Sequence, residues 1–154
     1  MIYCCAFNAP KPVGTIYLTG DDEYLHSISK IKTNHPQGET PVLSFAAEEL
    51  KQYFSGKLQV FKTPIRFSSS EFREKCWVCL REIKYGSTIS YKDQAILVGG
   101  PNYARAIAGA NNKNLIPIMI PCHRVIGSDG SLVGFGWGLE IKQYLLDLEK
   151  SGIK

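Results

Sequence analysis

The stretch Ser90–Asn114, SYKDQAILVGGPNYARAIAGANNKN, predicts the architecture of the second half of the chain. Ser90 and Asp93 have the spacing of a helix N-cap and its reciprocal partner, and a Gly-Gly pair is expected to end this first helix. Pro101 then favours the first turn of a second helix. Two short helices joined by so tight a turn have the outline of a DNA-binding helix-turn-helix, although a packed helical hairpin would give the same pattern.

Further helices are predicted on both sides of this pair. Residues 68–86, SSSEFREKCWVCLREIKYG, open with Ser68 and Glu71 at capping-box spacing. Residues 138–150, GLEIKQYLLDLEK, predict a last amphipathic helix that Ser151-Gly152 closes. The first of these helices carries an apolar stripe made of Phe72, Cys76, Cys79, Leu80 and Ile83.

The first half of the chain has a strand-rich pattern. The segments IYCCAF (2–7), GTIYLTG (14–20) and YLHSISKI (24–31) are short, rich in Ile and Tyr, and separated by turn residues. PVLSFAAEELKQYFSGK (41–57) has apolar residues at helical spacing, and LQVFKTPIRF (58–67) alternates like a further strand. This half therefore predicts a small α/β unit.

The sequence as a whole predicts an α+β protein with an N-terminal α/β domain over residues 1–67 and a mainly helical domain over residues 68–154. Of the 154 residues, 44% are hydrophobic and 21% are charged, which is ordinary for a globular protein. No apolar run approaches the roughly 20 residues that cross a bilayer, and the first residues do not resemble a secretory signal. We therefore expect a cytoplasmic monomer without membrane contact, whose five cysteines are reduced.

The stretch PIMIPCHRVIGSDG (117–130) places a thiol, an imidazole and a guanidinium side by side. Cys122 and His123 are adjacent, which is poor spacing for two ligands of one metal ion. Cys76 and Cys79 lie on a predicted apolar stripe, where buried thiols are the simpler interpretation. A thiol with a pKa of about 8.5 needs a base to act as a nucleophile, and His123 could serve through a water molecule. These residues alone leave a structural cysteine and a nucleophile both open.

Residues 114–149, NLIPIMIPCHRVIGSDGSLVGFGWGLEIKQYLLDLE, together with GSTISY (86–91) and ARAIAGA (104–110), closely resemble the O6-alkylguanine-DNA alkyltransferases. The resemblance covers residues 72–149 in order and spacing, and the first half fits only loosely. It implies a ribonuclease H-like N-terminal domain and a winged-helix-like C-terminal domain. It also implies direct-reversal DNA repair, in which an alkyl group passes irreversibly from O6 of guanine to a cysteine of the protein.

The resemblance assigns catalytic roles to five residues. Cys122 is the alkyl acceptor, His123 its water-mediated base, and Glu149 the carboxylate that orients the imidazole. Asn114 braces the surroundings of the thiol, and Tyr91 assists departure of the guanine at ring N3.

The resemblance also implies that the protein binds double-stranded DNA from the minor groove and flips the damaged base out of the duplex. Arg105 is the expected intercalating residue, and Ala104 and Ala108 allow the helix to approach closely. Arg124 and Tyr91 are expected to contact DNA as well. The pocket for the base is expected to consist of Val125, Phe135, Gly136 and Trp137, with Trp137 narrowing it where several relatives have glycine.

No cofactor and no metal ion are expected. Cys5 and His26 could be remnants of the zinc site that some relatives carry in the first domain, but further ligands are not evident. Two other functions remain in competition: a DNA-binding protein without a reaction, and a cysteine-dependent hydrolase that turns over.

Overall fold

The computed structural model describes residues 1–152, and these divide into two compact units, Met1–Phe67 and a second that begins at Ser68. The predicted second domain runs to residue 154, and its last two residues lie outside the described range. The observed architecture is α+β, as predicted. Among the described helices the longest have 14 residues, and none is long and apolar enough to cross a bilayer.

The first unit is built on a three-stranded antiparallel sheet in the order β1-β2-β3. The strands are β1 (Tyr3–Asn8), β2 (Thr15–Gly20) and β3 (Leu25–Ser29). Helix α1 (Pro41–Phe54) follows, with Thr40 as its N-cap and Pro41 in the first turn. The core of this unit contains the fully buried residues Val13, Ile16, Leu18, Leu25, Leu43, Ala46, Leu50 and Tyr53.

The strand predicted for residues 58–67 is wrong, because this segment makes only one isolated bridge, between Ile65 and Leu25. The N–H groups of Lys62 and Thr63 donate to the carboxylate of Glu49 at 2.8–3.0 Å instead of to a neighbouring strand. The alternating apolar residues of this segment therefore pack without pairing to a neighbouring strand.

Over residues 68–152 the second unit has four α-helices: α2 (Glu71–Arg81), α3 (Tyr91–Val98), α4 (Ala104–Asn112) and α5 (Leu139–Gly152). Ser70, not the predicted Ser68, caps α2 and accepts from the N–H of Arg73 at 3.3 Å. The capping box of Ser90 and Asp93 at the start of α3 is confirmed in both directions. A short 3-10 turn, Pro101–Tyr103, leads from the glycine pair into α4.

Helices α2, α3 and α4 are fixed to one another by buried polar contacts. The side-chain amides of Gln94 and Asn111 exchange two hydrogen bonds of 3.0 and 2.8 Å between α3 and α4. Trp77 of α2 donates from its indole N–H to the Ala110 carbonyl at 2.9 Å. Because each buried polar group is satisfied, this three-helix arrangement is specified more sharply than apolar packing alone would achieve.

A two-stranded parallel ladder connects the start of α3 to the cysteine segment. Strand β4 (Ile89–Ser90) pairs with β5 (Val125–Ile126), Ile89 opposite Val125 and Ser90 opposite Ile126. Tyr91 follows β4 directly, and the 3-10 turn Cys122–Arg124 precedes β5 directly. The ladder therefore brings the tyrosine and the thiol to the same region of the unit.

Candidate active site

Cys122 begins a 3-10 turn at the end of a tightly held loop. Asn114 donates from Nδ2 to the Ile120 carbonyl at 2.7 Å and accepts at Oδ1 from the N–H of Ile116 at 3.0 Å. The N–H of Cys122 donates to the same Ile120 carbonyl at 2.8 Å. Ile118 in this loop has φ of +76°, a conformation that is strained for a β-branched residue. Asn114 thus holds the loop that presents the thiol.

The thiol of Cys122 is buried, with 5% of the residue exposed. Burial raises the pKa of Cys122 to about 11, although a hydrogen bond with the Asn114 side chain and the charge of Lys142 both lower it. The resting protein at neutral pH therefore holds a thiol rather than a thiolate, and the group needs a base before it can react.

His123, the residue after the thiol, forms a buried pair with Glu149 of α5. His123 Nε2 lies 2.6 Å from Glu149 Oε2. Since an ionised carboxylate only accepts hydrogen bonds, Nε2 carries the proton and Nδ1 is the unprotonated nitrogen of a neutral ring. Nδ1 is buried and has no hydrogen-bond partner among the described residues. Burial lowers the pKa of His123, against the opposing effect of Glu149, so the ring can accept a proton at Nδ1 at neutral pH.

Arg124, predicted to contact DNA, is buried, with 6% of the residue exposed. Its Nε and Nη2 donate to the two oxygens of Glu149 at 2.8 and 3.0 Å, and Nη1 donates to the Ile83 carbonyl at 2.7 Å. Burial alone would raise the pKa of Glu149, but hydrogen bonds and charges of His123 and Arg124 outweigh it and hold that pKa well below its usual range. His123 and Arg124 together therefore keep Glu149 ionised.

Tyr91 is the first residue of α3, and its hydroxyl donates to the Val133 carbonyl at 2.7 Å. Burial, and secondarily the charge of Cys122, raise the pKa of Tyr91 to about 12, so the phenol is protonated at neutral pH. Lys142 of α5 reaches the same place: its Nζ lies 3.1 Å from the Val133 carbonyl and 3.4 Å from the Tyr91 hydroxyl.

The residues expected to form the pocket all follow the thiol in sequence. Val125 is fully buried in β5, and its N–H donates to the Cys122 carbonyl. Phe135 and Trp137 are half-buried and pack edge to face, with ring centroids 6.3 Å apart. Gly136 between them is exposed. The two rings thus form one aromatic surface after Val133.

Helix α4, the second helix of the predicted helix-turn-helix, presents an open surface made largely of small residues. Arg105 is exposed, whereas Ala104 and Ala108 are half-buried. A side chain added at Gly109 would meet no atom within 4 Å, so this side of α4 is unobstructed.

The first unit contains no further candidate site of comparable quality. His26 Nε2 lies 3.0 Å from Asp21 Oδ2, and burial raises the pKa of Cys5 to about 11. Within residues 1–152, no three His, Cys, Asp or Glu side chains are grouped to hold a metal ion.

Lys142 is the only buried lysine among the described residues, and the sequence analysis assigned it no role. A signal was present, because Lys142, Leu145 and Glu149 share the three- and four-residue spacing of one helix face. With Glu149 buried, this spacing places Lys142 on the buried face of α5.

Comparison with known proteins agrees with this geometry. A family model described as the DNA-binding domain of 6-O-methylguanine DNA methyltransferase matches residues 71–151. A methylated-DNA–protein-cysteine methyltransferase of Methanosarcina barkeri is 40% identical over 152 residues, covering 94% of this chain and 96% of the relative. The Haemophilus influenzae protein of the same name is 38% identical over 149 residues, covering 92% of this chain and 83% of the relative.

Solved structures show the same fold. The O6-methylguanine methyltransferase of Mycobacterium tuberculosis superimposes with a TM-score of 0.90 at 34% identity, covering 100% of this chain and 96% of that one. A structure of OGT from the same organism in complex with DNA gives 0.90 at 35% identity, covering 97% and 94%. The chain belongs to the methylated-DNA–protein-cysteine methyltransferase family.

Proposed function

We propose that this protein repairs O6-alkylguanine in double-stranded DNA by transferring the alkyl group irreversibly to its own Cys122. The observation that carries this proposal is the buried 2.6 Å contact between Glu149 and His123, the residue after Cys122, within the segment that the family model matches. A DNA-binding protein without a reaction has no need of a thiol followed by a base and its orienting carboxylate.

The reaction begins with removal of the thiol proton when the damaged base binds. His123 Nδ1 is the acceptor, through a water molecule, and Glu149 stabilises the imidazolium that forms. The sulfur then attacks the saturated carbon of the alkyl group, so that an S–C bond forms and the C–O6 bond breaks. The electron pair of the broken bond goes to the guanine, and the product on the protein is a thioether.

Departure of the guanine is assisted by Tyr91. A proton from its hydroxyl reaches ring N3 as the C–O6 bond breaks, which avoids release of a free guanine anion. For this the hydroxyl turns away from the Val133 carbonyl, to which it donates in the free protein. Because a thioether is a very poor leaving group, each molecule acts once.

DNA is approached through α4. Arg105 enters the duplex from the minor groove and fills the gap left by the flipped nucleotide, while Ala104 and Ala108 permit a close approach. The half-buried rings of Phe135 and Trp137 face the base, with Gly136 leaving room between them. Base flipping costs a few kcal/mol in lost stacking and pairing, and the inserted side chain offsets part of that cost.

We assign DNA binding and alkyl acceptance to the domain over residues 68–154, with a winged-helix-like fold, and a ribonuclease H-like fold to residues 1–67. The sheet order and the ladder beside the helix pair support these assignments. The protein acts as a monomer, since the acceptor, the base and the carboxylate all belong to one chain. Five free cysteines fit the reducing cytoplasm.

The test is the intact mass of the protein after incubation with duplex DNA containing O6-methylguanine. An increase of one methyl group, located on the peptide that contains Cys122, is expected in the wild type. It should be absent in Cys122→Ala, which should still bind the DNA. Tight binding with an unchanged wild-type mass would favour a non-catalytic DNA-binding protein, and turnover without a mass change would favour a hydrolase.

A further inference from the structure

A four-residue turn between α2 and β4, residues 84–87, contacts the carboxylate of the site. The N–H of Ser87 donates to the Lys84 carbonyl at 2.9 Å and closes the turn. Gly86, the third residue of the turn, has φ of +78°, and its N–H donates to Glu149 Oε1 at 3.3 Å. A backbone group of this turn therefore reaches an acid that lies 63 residues away in the sequence.

The same stretch of chain also holds Arg124. The Ile83 carbonyl accepts from Nη1 of the arginine at 2.7 Å, and the guanidinium carbon lies 5.8 Å from the centroid of the Tyr85 ring. Arg124 in turn donates to both oxygens of Glu149. This stretch therefore supports the carboxylate twice, once directly and once through the guanidinium.

The conformation of Gly86 determines the direction of its N–H. A φ near +80° at the third residue is typical of a type II turn, which favours glycine or asparagine there. In a type I turn, which most other residues prefer, the peptide between the second and third residues is rotated by roughly 180° relative to type II. Here that peptide joins Tyr85 to Gly86. The type I form would therefore turn the N–H away from Glu149 and the Tyr85 carbonyl oxygen toward it.

We propose that Gly86 is a positioning residue of the alkyl-transfer site: its left-handed conformation directs the peptide N–H at Glu149 Oε1, which keeps Oε2 on the imidazole of His123. A carbonyl oxygen in place of that N–H would repel the carboxylate and displace it from the imidazole. The inference rests on the proposed function, since the position of the carboxylate matters for the reaction only if His123 is the base.

The test compares two substitutions that both add a Cβ at position 86. Gly86→Ala favours the type I turn, whereas Gly86→Asn tolerates the left-handed conformation. Single-turnover methyl transfer from methylated duplex DNA should be roughly tenfold slower at saturating DNA in Gly86→Ala, because a hydrogen bond to the charged acid is lost. The half-saturating DNA concentration should stay within about twofold of the wild type. Gly86→Asn should recover most of the rate.

Gly56→Ala is the matched control. Gly56 follows α1, has the same φ of +78°, and has no atom within 4 Å of an added Cβ. The substitution introduces the same backbone strain in the first unit and should leave the rate of transfer at its wild-type value. Equal losses of rate in Gly56→Ala and Gly86→Ala would overturn the proposal, because they would attribute the effect to stability.

A double-mutant cycle measures whether Gly86 acts through the carboxylate. Glu149→Gln removes the charge that the N–H of Gly86 contacts, so adding Gly86→Ala should slow that variant by less than about twofold. A full tenfold loss in the double variant would mean that Gly86 acts elsewhere, which overturns the proposal.

Should Gly86→Ala fail to fold, the NMR resonance of the Gly86 amide proton decides. The carboxylate deshields this proton, so the signal should move upfield in Glu149→Gln, and an unchanged signal overturns the proposal. Equal rates of methyl transfer in the wild type and Gly86→Ala would overturn this inference alone. A wild type that takes up no methyl group would overturn the proposed function and leave the amide signal to decide the contact.

Discussion

Glu149 Oε2 lies 2.6 Å from His123 Nε2, although 26 residues separate them in the chain. The same carboxylate accepts from Arg124 through both of its oxygens. One buried acid therefore fixes the tautomer of a base and compensates the charge of a guanidinium. Removing it should affect both reactivity and stability, and the two effects can be measured separately.

Glu149→Gln should slow methyl transfer by about 10²–10⁴-fold, because the amide no longer stabilises an imidazolium at position 123. Single-turnover rates with methylated duplex, read as intact mass against time, measure this. Glu140→Gln is the control, since it removes an exposed acid from the same helix. Equal rates for Glu149→Gln and the wild type would mean that the imidazole is not the base.

Acidification should destabilise the protein in two steps. The pKa of His123 is lowered from 6.5 in the folded state because the ring is buried, so its contribution is complete above pH 6.5 and declines as the pH falls. The pKa of Glu149 is lowered from 4.5, so its contribution is present above pH 4.5 and is lost below it. Each group adds at most about 1.4 kcal/mol per pH unit to the slope.

Urea unfolding between pH 7.5 and 3 tests this expectation. Glu149→Gln should show a flatter decline below pH 4.5 than the wild type. Parallel curves for the two proteins in that range would contradict the ionised state of the buried carboxylate.

Arg124→Ala should lower the free energy of unfolding by about 3–5 kcal/mol, because it leaves Glu149 as a buried charge with one partner fewer. Urea unfolding at pH 7 measures the change. A variant that keeps wild-type stability and loses only DNA affinity would favour the predicted DNA contact of Arg124 over a structural role.

In contrast to Arg124→Ala, Arg105→Ala should slow repair and leave stability nearly unchanged. Its exposed position predicts a change in stability within about 0.5 kcal/mol, whereas loss of the side chain proposed to enter the duplex should slow repair of duplex DNA by roughly 10–100-fold. Arg81→Ala removes the same charge from an exposed position on α2 and serves as the control. Equal repair rates for the two variants would mean that Arg105 contributes only its charge.

Trp137→Gly should accelerate labelling of Cys122 by O6-benzylguanine relative to O6-methylguanine, because it removes one of the two rings that pack edge to face. Labelling is followed by intact mass with each free base. If benzylguanine reacts at the same rate with both proteins, the ring at this position does not restrict the pocket.

The sequence predicted correctly those elements that are stabilised by interactions between residues close together in the chain. The capping box of Ser90 and Asp93 depends on backbone groups three residues apart, and it is present as predicted. The alternation in residues 58–67 gave a wrong strand, because a strand depends on a partner, and the N–H groups of Lys62 and Thr63 found the Glu49 carboxylate instead.

The residues of the site show the same difference between what local sequence predicts and what tertiary contacts decide. Cys122 and His123 are adjacent in the sequence, and the resemblance added Glu149 as the partner of the imidazole. The burial of Arg124 and Lys142 was not evident, because both side chains are placed by tertiary contacts with Glu149, Val133 and Tyr91. Charged residues are expected at the surface unless such partners are known.

The short β4–β5 ladder has a consequence for how this protein tolerates change. Tyr91 and Cys122 are aligned by two pairs of opposed residues, Ile89 with Val125 and Ser90 with Ile126, rather than by the long connection between them. A slip of one residue at this ladder would shift the start of α3, and with it Tyr91, by one position relative to the cysteine turn. The alignment of the phenol with the thiol therefore depends on a backbone ladder that carries neither group.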